Sequence, residues 1–226
     1  MGRAMEDRAI WAILYDVGVD GRSVYLDWFH DVHIPEKLAR PGYSWAAHYR
    51  VVDPNAAERH AEGNGTYLAL FAGTTSRVFF DPSLSQLKVR QDELTRAMIG
   101  RRSKSQSFIL AEEWRDEPAT GAAEPYVAPA VVELRLLQPS GGPGGDEVVG
   151  AWAAQEAAPR LSAHPGVVAF RKLVCVQGQT RHAMLLGFDS IRAREAAAAA
   201  LVAAEGLQGP SATARSSVIG RRIWPN

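Results

Sequence analysis

The chain has 226 residues, enough for one large domain or two small ones, with an ordinary globular balance of 46% hydrophobic and 22% charged residues. Its 25 basic residues offset 25 acidic ones, which gives no reason to expect nucleic acid or an anionic membrane as partner. The single cysteine, Cys175, excludes an internal disulfide and any multi-cysteine metal centre.

No apolar run reaches the ~18 residues of a membrane span. The opening MGRAMEDRAIWAILYDV carries acidic residues ahead of a short apolar run and has no small-residue cleavage site. A cytoplasmic protein is therefore expected. Ile10 to Val17 reads as a buried strand, and Asp20 and Gly21 as the turn after it. Ser23 is placed to cap the next helix, in which Tyr25, Trp28, Phe29 and Val32 share a face. Pro35 and then Pro41-Gly42 are expected to close that helix.

Tyr43 to Val52 alternates. Tyr43, Trp45, Ala47, Tyr49 and Val51 are expected on one face, and Ser44, Ala46, His48, Arg50 and Val52 on the other. A turn-rich loop, Asp53 to Gly65, leads to a strand over Thr66 to Gly73. Thr75 to Met98 reads as mainly helical with a break at Asp81-Pro82, and Ser107 to Trp114 as a strand. Arg115 to Pro129 lacks periodicity and reads as a linker. The order then repeats: strand Val131 to Leu137, loop Gln138 to Gly145, helix Asp146 to Ala163 capped by Asp146, and a hairpin of Gly166 to Val176 and His182 to Phe188 turned at Gly178. An Ala-rich helix, Ile191 to Gly206, and a strand, Ser217 to Trp224, complete it. Cys175, in an alternating apolar run, reads as a buried structural thiol.

Trp28, Pro35, Pro41 and Gly42 recur as Trp152, Pro159, Pro165 and Gly166, each 124 positions later. His30 and His33 do not, because Ala154 and Ala157 stand there. The expected fold is α+β: two tandem ferredoxin-like β-α-β-β-α-β units, residues 1–114 and 130–226, joined by a linker at 115–129. The sheet face away from the helices is too apolar to stay wet, so the two units are expected to form an intramolecular barrel.

The phrase Trp28-Phe29-His30-Asp31-Val32-His33-Ile34-Pro35, followed by Pro41-Gly42 and a strand holding Tyr49-Arg50, resembles the dimeric α/β-barrel superfamily, and most of all its EthD-like members, with His33 and Pro35 in their His-x-Pro pattern. The resemblance implies the barrel fold. It leaves the activity open, because the superfamily holds polyketide cyclases, cofactor-free monooxygenases, isomerases and haem proteins.

His30 and His33 are three apart and share a helix flank. At a helix C-terminus His33 would favour the protonated form and could shuttle a proton. His48 and Arg50 share the polar face of their strand, where a guanidinium suits an enolate or carboxylate, and Tyr15 and Asp16 could add a donor and an acceptor. The candidate catalytic residues are thus His33, His48 and Tyr15, and the candidate substrate-binding residues Trp28, His30, Trp45, Tyr49 and Arg50. Each also has a structural reading: His33 could fix the helix end, His30 could be solvated, and His48 and Arg50 could be interface residues. The two histidines lack zinc spacing, and no GxGxxG, P-loop or GxSxG motif is present. No metal and no cofactor are expected, although the resemblance leaves His33 as a conceivable haem ligand. The expected function is cofactor-independent proton-transfer chemistry (cyclisation, isomerisation, dehydration or decarboxylation) on a small hydrophobic, polyketide-like molecule, in a monomer or homodimer. The alternative is a non-catalytic ligand-binding or protein-interaction module.

Overall fold

The computed structural model describes residues 7–52, 65–116, 127–139, 143–203 and 213–225. The chain divides into two compact units. One comprises Met1–Ala111 with Val176–Gly178 and Arg222–Asn226, the other Glu112–Cys175 with Gln179–Arg221. The strands, in hydrogen-bonded order β1 (Ala9–Val17), β3 (Gly65–Gly73), β2 (Tyr43–Val51), β8 (Thr213–Trp224), β5 (Val131–Pro139), β7 (His182–Phe188), β6 (Val167–Gln177) and β4 (Arg102–Asp116), close into an eight-stranded barrel, and the fold class is α+β.

In the first unit, β1 (Ala9–Val17) lies between β3 (Gly65–Gly73) and β4 (Arg102–Asp116), and β2 (Tyr43–Val51) flanks β3; all these pairings are antiparallel. β1 and β3 are buried along their whole length, as their near-continuous Val, Leu, Ile, Ala and aromatic content requires. Alternate residues Trp11, Ile13, Tyr15, Tyr67, Ala69 and Phe71 join one core cluster with Tyr25, Trp28 and Phe29 of the helix that covers this face.

That helix departs from the sequence reading in three ways. It starts at Arg22 behind Gly21, whose φ of 70° is a left-handed conformation, and no side chain caps it, so Ser23 plays no such part. It does not end at Pro35. Helix α1 (Arg22–Trp28) passes through a π-turn, Phe29–His33, into α2 (Ile34–Leu38), with the Ile34 N–H bonded to the Phe29 carbonyl five residues back. Gly42, with φ of 88°, then turns the chain into β2. Between β3 and β4 the chain forms a short 3₁₀ turn at Ser76–Phe79, α3 (Leu84–Val89) and α4 (Glu93–Ile99). The expected break at Asp81-Pro82 falls between the turn and α3. Ser83 and Gln86 form a reciprocal capping box on α3, and Asp92 caps α4.

The second unit has β5 (Val131–Pro139) between β7 (His182–Phe188) and β8 (Thr213–Trp224), with β6 (Val167–Gln177) beyond β7. Helix α5 (Pro143–Trp152), a π-turn at Ala153–Ala157 and α6 (Ala158–Ser162) stand 124 positions after their counterparts, and Gly166 repeats the φ of 88°. Helix α7 covers Ile191–Ala203. Asp146 sits inside α5 rather than capping it, and bonds His182 and Arg181. Cys175 is half-buried rather than fully buried. The loop at residues 53–64, which holds His60, and the middle of the linker lie outside the described residues. No helix among the described residues is long and apolar enough to cross a membrane.

Candidate functional site

The π-turn decides what α1 and α2 present to the first sheet. One extra residue in the turn rotates everything after it, and His33, Lys37 and Arg40 then follow one another at helical spacing. His33 is buried, its ring 4.7 Å from that of Trp28 and 5.4 Å from that of Phe29. Burial, with the cations of Lys37, Arg102 and Arg40 around it, pushes its pKa down to about 2. The expected protonated His33 at a helix end is therefore corrected. The helix does not end there, and the imidazole stays neutral at any physiological pH.

His33 lines a cavity of about 430 Å³ between α2 and the α3–α4 segment. Lys37, Arg40, Tyr43, Val78, Leu87, Arg90 and Asp92 also line it. Two polar atoms of this lining are buried without a hydrogen-bond partner: Nδ1 of His33 and Nη1 of Arg40. Buried polar groups are rarely left so, and a pair of them in one cavity marks a place where a ligand can supply the missing bonds. Lys37 is only 7% exposed, and burial together with Arg40 lowers its pKa to about 8. Burial likewise raises that of Tyr43.

Phe29, whose ring packs on His33, also meets the His48 ring at 4.7 Å, and His48 is the middle of a polar chain. The Tyr15 hydroxyl is 2.9 Å from Nε2 of His48, and Nδ1 of His48 is 2.8 Å from Nε2 of His30. Either neutral tautomer of His48 satisfies both bonds. Burial raises the Tyr15 pKa and lowers that of His48, so both stay neutral. Arg102 lies over the Tyr15 ring at 4.3 Å and donates to the Tyr25 hydroxyl at 2.6 Å. His30 is partly exposed and stacks on Trp224 at 6.2 Å.

Of the residues singled out in the sequence, the structure brings together Tyr15, His30 and His48 in the chain, and Trp28 with His33 beside it. It does not bring in Trp45 or Tyr49. A bulge between Tyr43 and Trp45 shifts the β2 register, so Tyr43 joins Ala46 and His48 on the helix side, while Trp45 pairs with Ala72 and Tyr49 with Leu68 on the other. Arg50 is exposed at the strand end. Asp16 faces away from Tyr15, accepts from Thr66 Oγ1 at 2.6 Å and lies 3.6 Å from Lys104 Nζ. Sequence reasoning missed Lys37, Arg40 and Arg102. The first two carried a signal, their positions four and seven residues after His33.

No protein-family model and no curated protein matches the chain. Solved structures do. A proposed monooxygenase from Fusobacterium nucleatum superposes with a TM-score of 0.63 at 7% identity, covering 96% of this chain and 93% of the other. An anthrone oxidase-like protein gives 0.56 at 14% identity, covering 97% and 93%. A haem-binding protein from Thermus thermophilus gives 0.54 at 11% identity, covering 96% and 92%. Chlorite dismutases are further matches. The likeness establishes the fold, the α+β barrel these proteins share. Their names are oxidative or haem-related, and this overturns the expectation of cofactor-independent cyclisation or isomerisation.

Proposed function

We propose that this protein is an oxidative enzyme acting on a small acidic organic molecule, a phenol or an enol, held in the cavity behind α2. The observation that carries the reading is the pair of unpartnered polar atoms in one cavity: a guanidinium donor, Arg40 Nη1, and a neutral ring nitrogen, His33 Nδ1. The oxidative names of proteins sharing the fold support the reaction class. The lining is charged as well as apolar, so an acidic molecule suits it better than a purely hydrophobic one.

Arg40, with Arg90 across the cavity, holds the anionic form of the substrate and lowers the pKa of the bound phenol or enol. The anion is the electron-rich species that dioxygen oxidises. His33 orients it through one neutral hydrogen bond, and the stacked ring of Phe29 and the tilted ring of Trp28 fix the imidazole. Haem, the group suggested by the haem-binding neighbour, does not fit this cavity. Six acidic or basic side chains besides His33 line it, Glu36, Lys37, Arg40, Asp81, Arg90 and Asp92, where a porphyrin needs apolar walls.

The test is dioxygen uptake with a panel of phenols and enolisable diketones. Uptake that needs substrate, and falls 10-fold or more in Arg40→Met, supports the reading. Substrates that bind and return unoxidised overturn it, as does activity that appears only on adding haem.

We further propose that the two units arose by tandem duplication of a ferredoxin-like unit of the EthD-like type, residues 1–114 and 130–226. The π-turns, the prolines after them and the left-handed glycines all repeat at a spacing of 124, which supports this descent.

A further inference from the structure

We propose that Lys37 is a nucleophilic amine that condenses with an aldehyde or ketone admitted to the cavity. This goes beyond the oxidative reading and does not rest on it, since imine formation needs no oxidant.

Three observations carry it. Lys37 is 7% exposed, lines the cavity and has no ion pair among the described residues. The groups around it are mostly cationic or neutral: Arg40, Arg102 and His33, with Glu36 the one anion among its named electrostatic neighbours. The fold does not require a charge there. The position 124 residues on, in the matching turn of α6, is Leu161, which is 1% exposed and packed in the core of the second unit. An amine has thus been set where an apolar side chain serves the fold, and it opens onto a cavity.

Desolvation favours the neutral amine, and a pKa of about 8 leaves roughly one molecule in ten unprotonated at pH 7, against under ~0.1% for an exposed lysine. The neutral nitrogen attacks the carbonyl carbon, a C–N bond forms and the oxygen takes a proton, giving a carbinolamine. The C–O bond then breaks, water leaves and the imine remains. Arg40, in the same lining, is a donor for the oxygen as its charge develops.

Reductive trapping tests this. The intact protein is treated at pH 7, under argon, with 4-hydroxybenzaldehyde and cyanoborohydride, and the adducts are mapped by peptide mass spectrometry. The chain has four lysines, Lys37, Lys88, Lys104 and Lys172. Lys88 and Lys104 are exposed, and Lys172 is paired with Glu113. The terminal amine also reacts and is resolved by the mapping. Lys37 is expected to gain the reduced adduct at least 10-fold faster than Lys88. Labelling of Lys37 no faster than Lys88, or only after denaturation, overturns the proposal. Because dioxygen is excluded, this result is separate from the uptake assay.

Discussion

The Tyr15 hydroxyl and Nε2 of His48 lie 2.9 Å apart, on strands β1 and β2 that do not pair with each other, and both residues are completely buried. β3 runs between them, so the bond ties the sheet together side chain to side chain across one strand. Tyr15→Phe keeps the ring and its contacts with Tyr25, Phe29 and Tyr67, and removes one oxygen. His48 Nε2 is then stranded in a dry core, which costs about 1–3 kcal/mol. Replacing His48 by Leu as well removes the stranded atom, so the double variant should lose less than the two single losses added. Urea unfolding of the four proteins measures this. Strict additivity would mean the bond contributes nothing.

Acid should unfold the protein through its neutral histidines. An unfolded histidine titrates near 6.5, whereas His33 is pushed down to about 2 and His48 well below its usual value. The unfolded chain therefore takes up protons that the folded chain refuses. The histidine contribution to stability is full above pH 6.5 and falls as pH drops below it, by up to about 1.4 kcal/mol per pH unit for each such histidine. Carboxylates add to the fall only at lower pH, so the window from 6.5 to 5 isolates the imidazoles. His33→Asn should reduce the slope there by about one proton, read from unfolding free energies at several pH values. An unchanged slope would mean His33 is protonated in the fold.

Gly42→Ala should be more damaging than an ordinary surface change. Gly42 has φ of +88°, and an added Cβ would lie 2.4 Å from Val78 Cγ1. Strain and overlap together should cost about 1–3 kcal/mol and loosen the cavity wall that Val78 forms. Gly166→Ala meets a similar obstacle, Ala193 Cβ at 2.6 Å, but in the unit without the cavity. Both variants should lower Tm, and only Gly42→Ala should also weaken substrate binding.

The element order could be read from the sequence because β1, β3, β5 and β7 are short, largely apolar runs, and because Trp28, Pro35, Pro41 and Gly42 return after 124 positions. Pro35 misled, since a proline ordinarily stops a helix by clashing with the carbonyl four residues back. Here the π-turn widens the helix just before it and gives the ring room. No local propensity announces a π-turn, so the sequence places His33 at the helix end and gives no reason to expect Lys37 one turn further along the same helix. The β2 bulge moved Tyr43 to the helix side with Ala46 and His48, whereas Trp45 and Tyr49 lie on the face opposite His48, where strict alternation already put them, and so cannot share its site. Arg102 joins Tyr15 and Tyr25 only through tertiary folding, 77 residues from the latter.

Lys37 opposes stability to function most directly. A lysine whose pKa is lowered by burial destabilises the fold while it is charged. That deficit is full below pH 8 and is recovered as pH rises from about 8, the folded value, toward 10.5, the value it has when unfolded. Lys37→Leu, which copies Leu161, should therefore stabilise the protein at pH 7 by about 1–3 kcal/mol, or a few degrees in Tm. It should also abolish the rise in stability above pH 8. The same change should remove the amine adduct and with it any turnover that depends on the amine. A variant less stable than the parent at pH 7, with the alkaline rise intact, would show that the ammonium is well solvated in the native cavity.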